Sequence, residues 1–192
     1  MNLEVCILAG GLSTRMGRDK ARLKLGGVTM LARIKAVAAE TFGARVFVRV
    51  IRKDCVRRCG PLGGIVTALR TSKARAVLFL ACDMPLVTPA LLKRLARASH
   101  DGVRAVFVSQ NARVGFPLLL PVKVLPRIEA QLAAKQFSLH ALARSLRAHH
   151  STLPAWSRAL FNVNTPEDAA RARTLLQRQA RGVCPRYPAG SG

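Results

Sequence analysis

Residues 3–20, L-E-V-C-I-L-A-G-G-L-S-T-R-M-G-R-D-K, restrict the fold more than any other part of the chain. Residues 3–8 are apolar apart from Glu4, and a run of that length is a buried strand rather than a helix. It passes into a loop with adjacent glycines, Gly10 and Gly11, a third at Gly17 and a lysine at Lys20. Glycine has no Cβ, so backbone N–H groups can face into a concavity and meet an anion at close range. An ammonium at the far end of the loop would neutralise phosphate charge. Such a strand and loop belong to an open α/β sheet, whose ligands bind beyond the carboxyl ends of the strands. Two common phosphate fingerprints do not fit: Lys20 does not directly follow a glycine, and Gly10 and Gly11 are adjacent. The glycines alone are also compatible with a loop that only turns the chain. The charges of Arg15, Asp19 and Lys20 favour a site.

The rest of the chain alternates in kind. Residues 28–42 put Met30, Leu31, Ile34, Val37, Ala38 and Phe42 on one helical face, with Gly43 as the stop. Residues 45–51 predict the second strand. A short basic loop leads to G-P-L-G-G at 60–64, read as the opening of a short helix over 65–70. Glycines there either bring free N–H groups to a ligand or form a tight turn. Residues 76–81, A-V-L-F-L-A, are the most continuous apolar run and predict a central strand buried on both faces. The run ends in C-D-M-P, which puts Asp83 at the strand's tip. Mg²⁺ on nucleotide phosphates takes one or two carboxylates and keeps several waters, which suits Asp83. The alternative is that Asp83 caps the turn into the helix expected at 88–98.

Strands at 103–108 and 116–120, helices at 124–134 and 138–148, and a last short strand at 160–163 complete the pattern. The last strand leads into N-V-N-T-P-E-D at 162–168. Thr165 as N-cap, Pro166 at N1 and Asp168 at N3 start a helix running to about residue 179. In an extended segment Asn162 and Asn164 project to one side. Two amides so placed can read a polar heterocycle or a phosphate, or they bond their own backbone as turn asparagines. His140, His149 and His150 are expected at the surface without metal partners.

This alternation predicts an α/β chain: a single Rossmann-like, doubly wound, mostly parallel sheet flanked by helices over residues 1–180. A Gly-, Pro- and Ser-rich tail at 181–192 is expected to be disordered. No apolar run has the length of a membrane span and no export signal is visible, so a cytoplasmic protein is expected. The 5 cysteines are irregularly spaced and predict reduced thiols rather than a zinc site. The net charge of +23 calls for anionic partners. The arginines are dispersed, with 1 Trp and 1 Tyr in the whole chain, so no specific nucleic-acid partner is expected.

Four motifs in one order, L-A-G-G-L-S-T-R-M-G-R-D-K, G-P-L-G-G-I, C-D-M-P and N-V-N-T-P-E-D, resemble the molybdenum cofactor guanylyltransferases, the MobA family. The likeness spans about residues 3–178 and implies a fold of the nucleotide-diphospho-sugar transferase type. It implies transfer of GMP from GTP to the phosphate of Mo-molybdopterin, with Mg²⁺ as cofactor and pyrophosphate as product. Molybdoenzymes or molybdenum-insertion proteins are the implied protein partners. By motif position, Leu8, Ala9, Gly10, Gly11, Lys20, Asp54 and Asp83 would bind the nucleotide, with Asp83 also holding the metal. Gly17, Gly60, Gly64, Asn162 and Asn164 would bind substrate, and Lys20, Arg15 and Asp83 would carry catalysis. The chain departs from the family between its second strand and G-P-L: R-V-I-R at 49–52 supplies no asparagine, and Asp54 is the one aspartate there. A related transferase using CTP or a sugar phosphate, a basic nucleic-acid-binding module and a non-catalytic cofactor carrier are the alternatives.

Overall fold

β1 (Leu3–Leu8) is buried along nearly its whole length, as its apolar run requires. A computed structural model describes residues 2–9, 20–43, 46–52, 55, 59–155 and 157–180. Lys20 opens a single 3₁₀ turn, Lys20–Arg22. Next comes a two-stranded hairpin, β2 (Lys24–Leu25) and β3 (Val28–Thr29), turned at Gly26 and Gly27 with φ of 61° and 83°. Two successive positive φ values are what a tight right-twisted hairpin demands, and glycine supplies them without strain. The helix expected from residue 28 therefore begins later, as α1 (Met30–Phe42). Thr29 caps it by accepting from the Ala32 N–H, and Gly43 ends it at φ 78°.

β4 (Phe47–Ile51) precedes α2 (Pro61–Thr71), which is longer than the sequence suggested. Gly63 and Gly64 lie inside this helix and are buried, so G-P-L-G-G is helix rather than the turn before one. Pro61, pre-set for the first helical position, starts it, and packing overrides the poor intrinsic helix propensity of glycine. β5 (Ala76–Ala81) and α3 (Pro89–Ala98) fall where expected.

β6 (Val106–Gln110) and β7 (Arg113–Pro121) form a hairpin, followed by α4 (Leu125–Ala133) and α5 (Leu139–Ser145). β8 (His149–Thr152) was not expected; its exposed histidines conceal a strand that pairs through its backbone. α6 (Pro166–Ala180) ends the described chain. Residues 160–163 are not a strand, because β8 already occupies the place beside β6. The tail expected to be disordered lies outside the described residues.

The sheet has the order β4-β1-β5-β7-β6-β8. β4, β1 and β5 are mutually parallel, β8 is parallel to β6, and β7 runs against both its neighbours. The sheet is thus mixed and mostly parallel. Alternate residues of β5 face opposite layers, which explains its unbroken hydrophobicity. Leu78 and Leu80 meet α1 and α3 through Ile34, Leu91, Leu92 and Leu95. Val77 and Phe79 meet α2, α4 and α5 through Leu62, Ile65, Ile128 and Leu142. Cys6 lies in this second layer, and burial pushes its thiol up to about 12. A third cluster, Leu25 and Met30 with Val163, Ala169 and Ala172, docks α6 against the β2–β3 hairpin.

Glu4 is the one charged residue among the described buried ones. It accepts from Arg49 Nε at 2.7 Å and from Ser72 Oγ at 2.7 Å, and it pairs with Arg49 Nη2 as well. The guanidinium also reaches Thr71 Oγ1. This network fastens β1 to β4 and to the end of α2, at the opposite end of the sheet from the strand tips considered next.

Candidate functional site

The carboxyl ends of β1, β4 and β5 are stitched together where β1 ends. Ala9 N–H donates to the Ile51 carbonyl at 2.8 Å, and Cys82 N–H donates to the Leu8 carbonyl at 3.1 Å. Leu8 and Ala9 therefore leave the sheet between the ends of its two parallel neighbours. Gly10, Gly11, Arg15 and Gly17 lie outside the described residues, as does Asp54. The chain returns at Lys20, with Ala21 buried behind it. α2 begins near the same end, at Gly60, whose φ of 55° is easy for glycine. Gly60 offers no side-chain cap, and Gly64 is buried within the helix.

Asp83 stands half-buried just past the tip of β5. The N-cap of α3 is Thr88, its Oγ1 accepting from Leu91 N–H at 3.3 Å. The Asp83 carbonyl accepts from Val163 N–H at 2.8 Å. That bond lays N-V-N across C-D-M-P. Val163 is buried in the third cluster, so its apolar side chain anchors the segment from one side while its backbone grips β5 from the other.

Asn162 is exposed and lines the same cleft as Asp83. Asn164, two residues on, is exposed as well and is not among the cleft's lining residues. The capping box expected at α6 is present. Asp168 Oδ2 accepts from Asn164 N–H at 2.9 Å and Thr165 N–H at 3.0 Å, while Thr165 Oγ1 accepts from Asp168 N–H at 3.1 Å. The Asn164 and Thr165 N–H donors hold the Asp168 carboxyl below its usual range.

The cleft is about 790 Å³ and lies beside β5, on the side of β7 rather than β1. Its far wall is the tip of the β6–β7 hairpin: Gln110, Asn111, Arg113, Val114, Gly115 and Phe116. Sequence reasoning missed this wall. Its signal in the sequence is weak, because the two-residue link Asn111-Ala112 takes φ of 49° and 60° without the glycine that usually marks such a turn. Register shifts between Phe107 and Val108, so that Phe107 faces Leu118 but Val108 faces Gly115. A bulge of this kind bends a strand and re-aims its side chains, here at Phe116 beside the cleft.

Among the described residues no group of three or more His, Cys, Asp or Glu could cage a metal. One carboxylate at the cleft does fit a divalent ion that arrives with phosphates and keeps water. Magnesium behaves in this way, and zinc and calcium favour richer protein ligand sets.

The model of the MobA-like NTP transferase domain matches residues 5–153. A probable molybdenum cofactor guanylyltransferase from Pelotomaculum thermopropionicum is 32% identical, over 92% of this chain and 94% of its own length. A molybdenum cofactor guanylyltransferase from Xanthomonas euvesicatoria is 35% identical, over 86% of this chain and 91% of its own. Among solved structures, molybdopterin-guanine dinucleotide biosynthesis protein A from Archaeoglobus fulgidus superposes with a TM-score of 0.68 at 21% identity, covering 91% of this chain and 99% of that one. A nucleotidyl transferase from Methanothermobacter gives 0.72 at 23%, covering 92% and 98%. At these identities the structural likenesses speak for the fold.

Proposed function

The chain belongs to the MobA-like NTP transferases, in the molybdenum cofactor guanylyltransferase family, and on that premise we propose the reaction it performs. GMP passes from GTP to the terminal phosphate of Mo-molybdopterin. An oxygen of that phosphate attacks the α-phosphorus of GTP in line. The bond from the α-phosphorus to the bridging oxygen breaks, and pyrophosphate leaves with the electron pair. The nucleophile arrives already anionic, so no Ser, Cys or His nucleophile is required. The protein's work is positioning and charge neutralisation.

The observation that carries this reading is the 2.8 Å bond from Val163 N–H to the Asp83 carbonyl. It joins two of the four motifs at the same sheet end where Leu8 and Ala9 enter the glycine loop. In the proposal, Leu8, Ala9, Gly10 and Gly11 line the nucleotide, Gly17 shapes the loop, and Lys20 and Arg15 offset charge on the phosphates. Asp54 contributes to nucleotide recognition, and Gly60, Gly64, Asn162 and Asn164 contribute to substrate binding. Asp83 holds Mg²⁺, which when bound neutralises phosphate charge and eases departure of pyrophosphate. β5 separates two territories: the nucleotide lies over β1, and the acceptor fills the cleft over β7. A cytoplasmic enzyme supplying its product to molybdoenzymes fits this reading.

The test is pyrophosphate release by the full chain with Mg²⁺, molybdopterin carrying molybdenum, and each of the four nucleoside triphosphates in turn. Release that requires GTP and the pterin together is expected. Release with CTP in place of GTP, or with a sugar phosphate in place of the pterin, would overturn the substrate assignment. Tight, salt-sensitive binding of nucleic acid with no transfer would overturn the enzymatic one.

A further inference from the structure

We infer that Arg113 is the residue that receives the acceptor's phosphate; this rests on the nucleotidyl-transfer reading above. Arg113 is the one cationic side chain among the described residues lining the cleft, and Asp83 is the one carboxylate. A phosphomonoester carries about −1.5 to −2 charge near neutrality. In that reading the ion on Asp83 and the Lys20 and Arg15 charges are engaged by the phosphates of GTP, so a second phosphate entering the cleft needs a cation of its own. A guanidinium suits that task, because its planar fork donates to two phosphate oxygens at once.

The hairpin holds this arginine in a defined place. Arg113 is the first residue of β7 and faces Gln110, the last of β6, across a two-residue turn. Asn111 and Ala112 both hold positive φ there without glycine, a conformation L-residues rarely adopt. Gln110 Nε2 donates to the Pro154 and Ser157 carbonyls, each at 2.8 Å, and lies 3.2 Å from that of Ala155. The tip is thereby tied to the segment that leads towards Asn162. The Arg113 side chain is exposed and makes no hydrogen bond or ion pair with another described residue, whereas those of Arg49 and Arg70 are paired with carboxylates. Its place on the β7 side of β5 sets it on the other side of that strand from β1, which carries Leu8.

Steady-state kinetics of the full chain with GTP, Mg²⁺ and Mo-molybdopterin tests this. Arg113→Ala is expected to raise KM for the pterin about 10- to 100-fold and to leave KM for GTP within about twofold. Arg113→Lys, which keeps the charge but not the fork, is expected to recover part of the loss. Inorganic phosphate is expected to compete with the pterin in the wild type and to lose that competition in Arg113→Ala. An unchanged pterin KM, a parallel rise in both KM values, or a lysine variant no better than alanine would each overturn the assignment. A wild-type chain that transfers no GMP would overturn the reaction itself, and this inference with it.

Discussion

Replacing Glu4 by alanine should cost this protein a large share of its stability while sparing its chemistry. The Glu4 side chain is 7% exposed and that of Arg49 20%. The carboxylate satisfies two guanidinium nitrogens and the Ser72 hydroxyl. Its removal strands a mostly buried positive charge and leaves a hydroxyl without its acceptor. Breaking one side of a buried ion pair costs about 3–5 kcal/mol. Arg49 keeps some access to water, so we expect about 2–4 kcal/mol here, with roughly 5–15 °C lost from the thermal midpoint of a chain this size. Deleting both charges tests the cause. Glu4→Leu with Arg49→Leu removes the stranded cation and should recover at least half of the loss, since buried pairs are often replaceable by apolar groups. Urea unfolding followed by circular dichroism, comparing midpoints at constant slope, reads both numbers. A loss below about 0.5 kcal/mol for Glu4→Ala, or a double variant no more stable than the single one, would refute the reasoning. Turnover of the folded fraction should stay at the wild-type value, because the network lies at the far end of the sheet from Asp83.

Lys20→Ala should reduce turnover, read as pyrophosphate release, by about 10²–10³-fold with the fold intact, and Asp83→Ala should abolish the magnesium dependence of nucleotide binding, read by nucleotide titration with and without the ion. Ala112→Gly should stabilise the protein by about 1 kcal/mol in a urea melt, because glycine adopts the positive φ of that turn without strain. The α6 cap should weaken in acid. The folded pKa of Asp168 lies below its ordinary value of 3.8, so its contribution is complete above that value and disappears as pH falls through the folded one. Asp168→Ala should therefore differ from the wild type in denaturant melts at neutral pH, and the gap should close progressively below the ordinary carboxyl value.

Much of the fold was legible because it is written in short-range chemistry. The runs at 3–8 and 76–81 could only be buried strands, and Thr88, Pro89, Thr165, Pro166 and Asp168 announce helix starts by bonds within one turn. Where local signals conflicted with packing, packing won. Gly63 and Gly64 read as loop residues, yet they sit in α2 because that helix is buried on the sheet. His149 and His150 gave no hydrophobic alternation, yet β8 forms because an edge strand needs only a backbone ladder. Residues 160–163 look like a strand, but their place in the sheet was already taken.

By itself, then, the sequence determined an α/β chain, a glycine loop after the first strand and a carboxylate at the end of a later one. Local periodicity and capping suffice for that. The tertiary structure alone decided that β7 runs against its neighbours, that N-V-N rests on C-D-M-P, and that Arg113 closes the far side of the same cleft. These depend on pairings between residues distant in the chain, where complementary faces and backbone bonds settle the arrangement and no local pattern records the outcome.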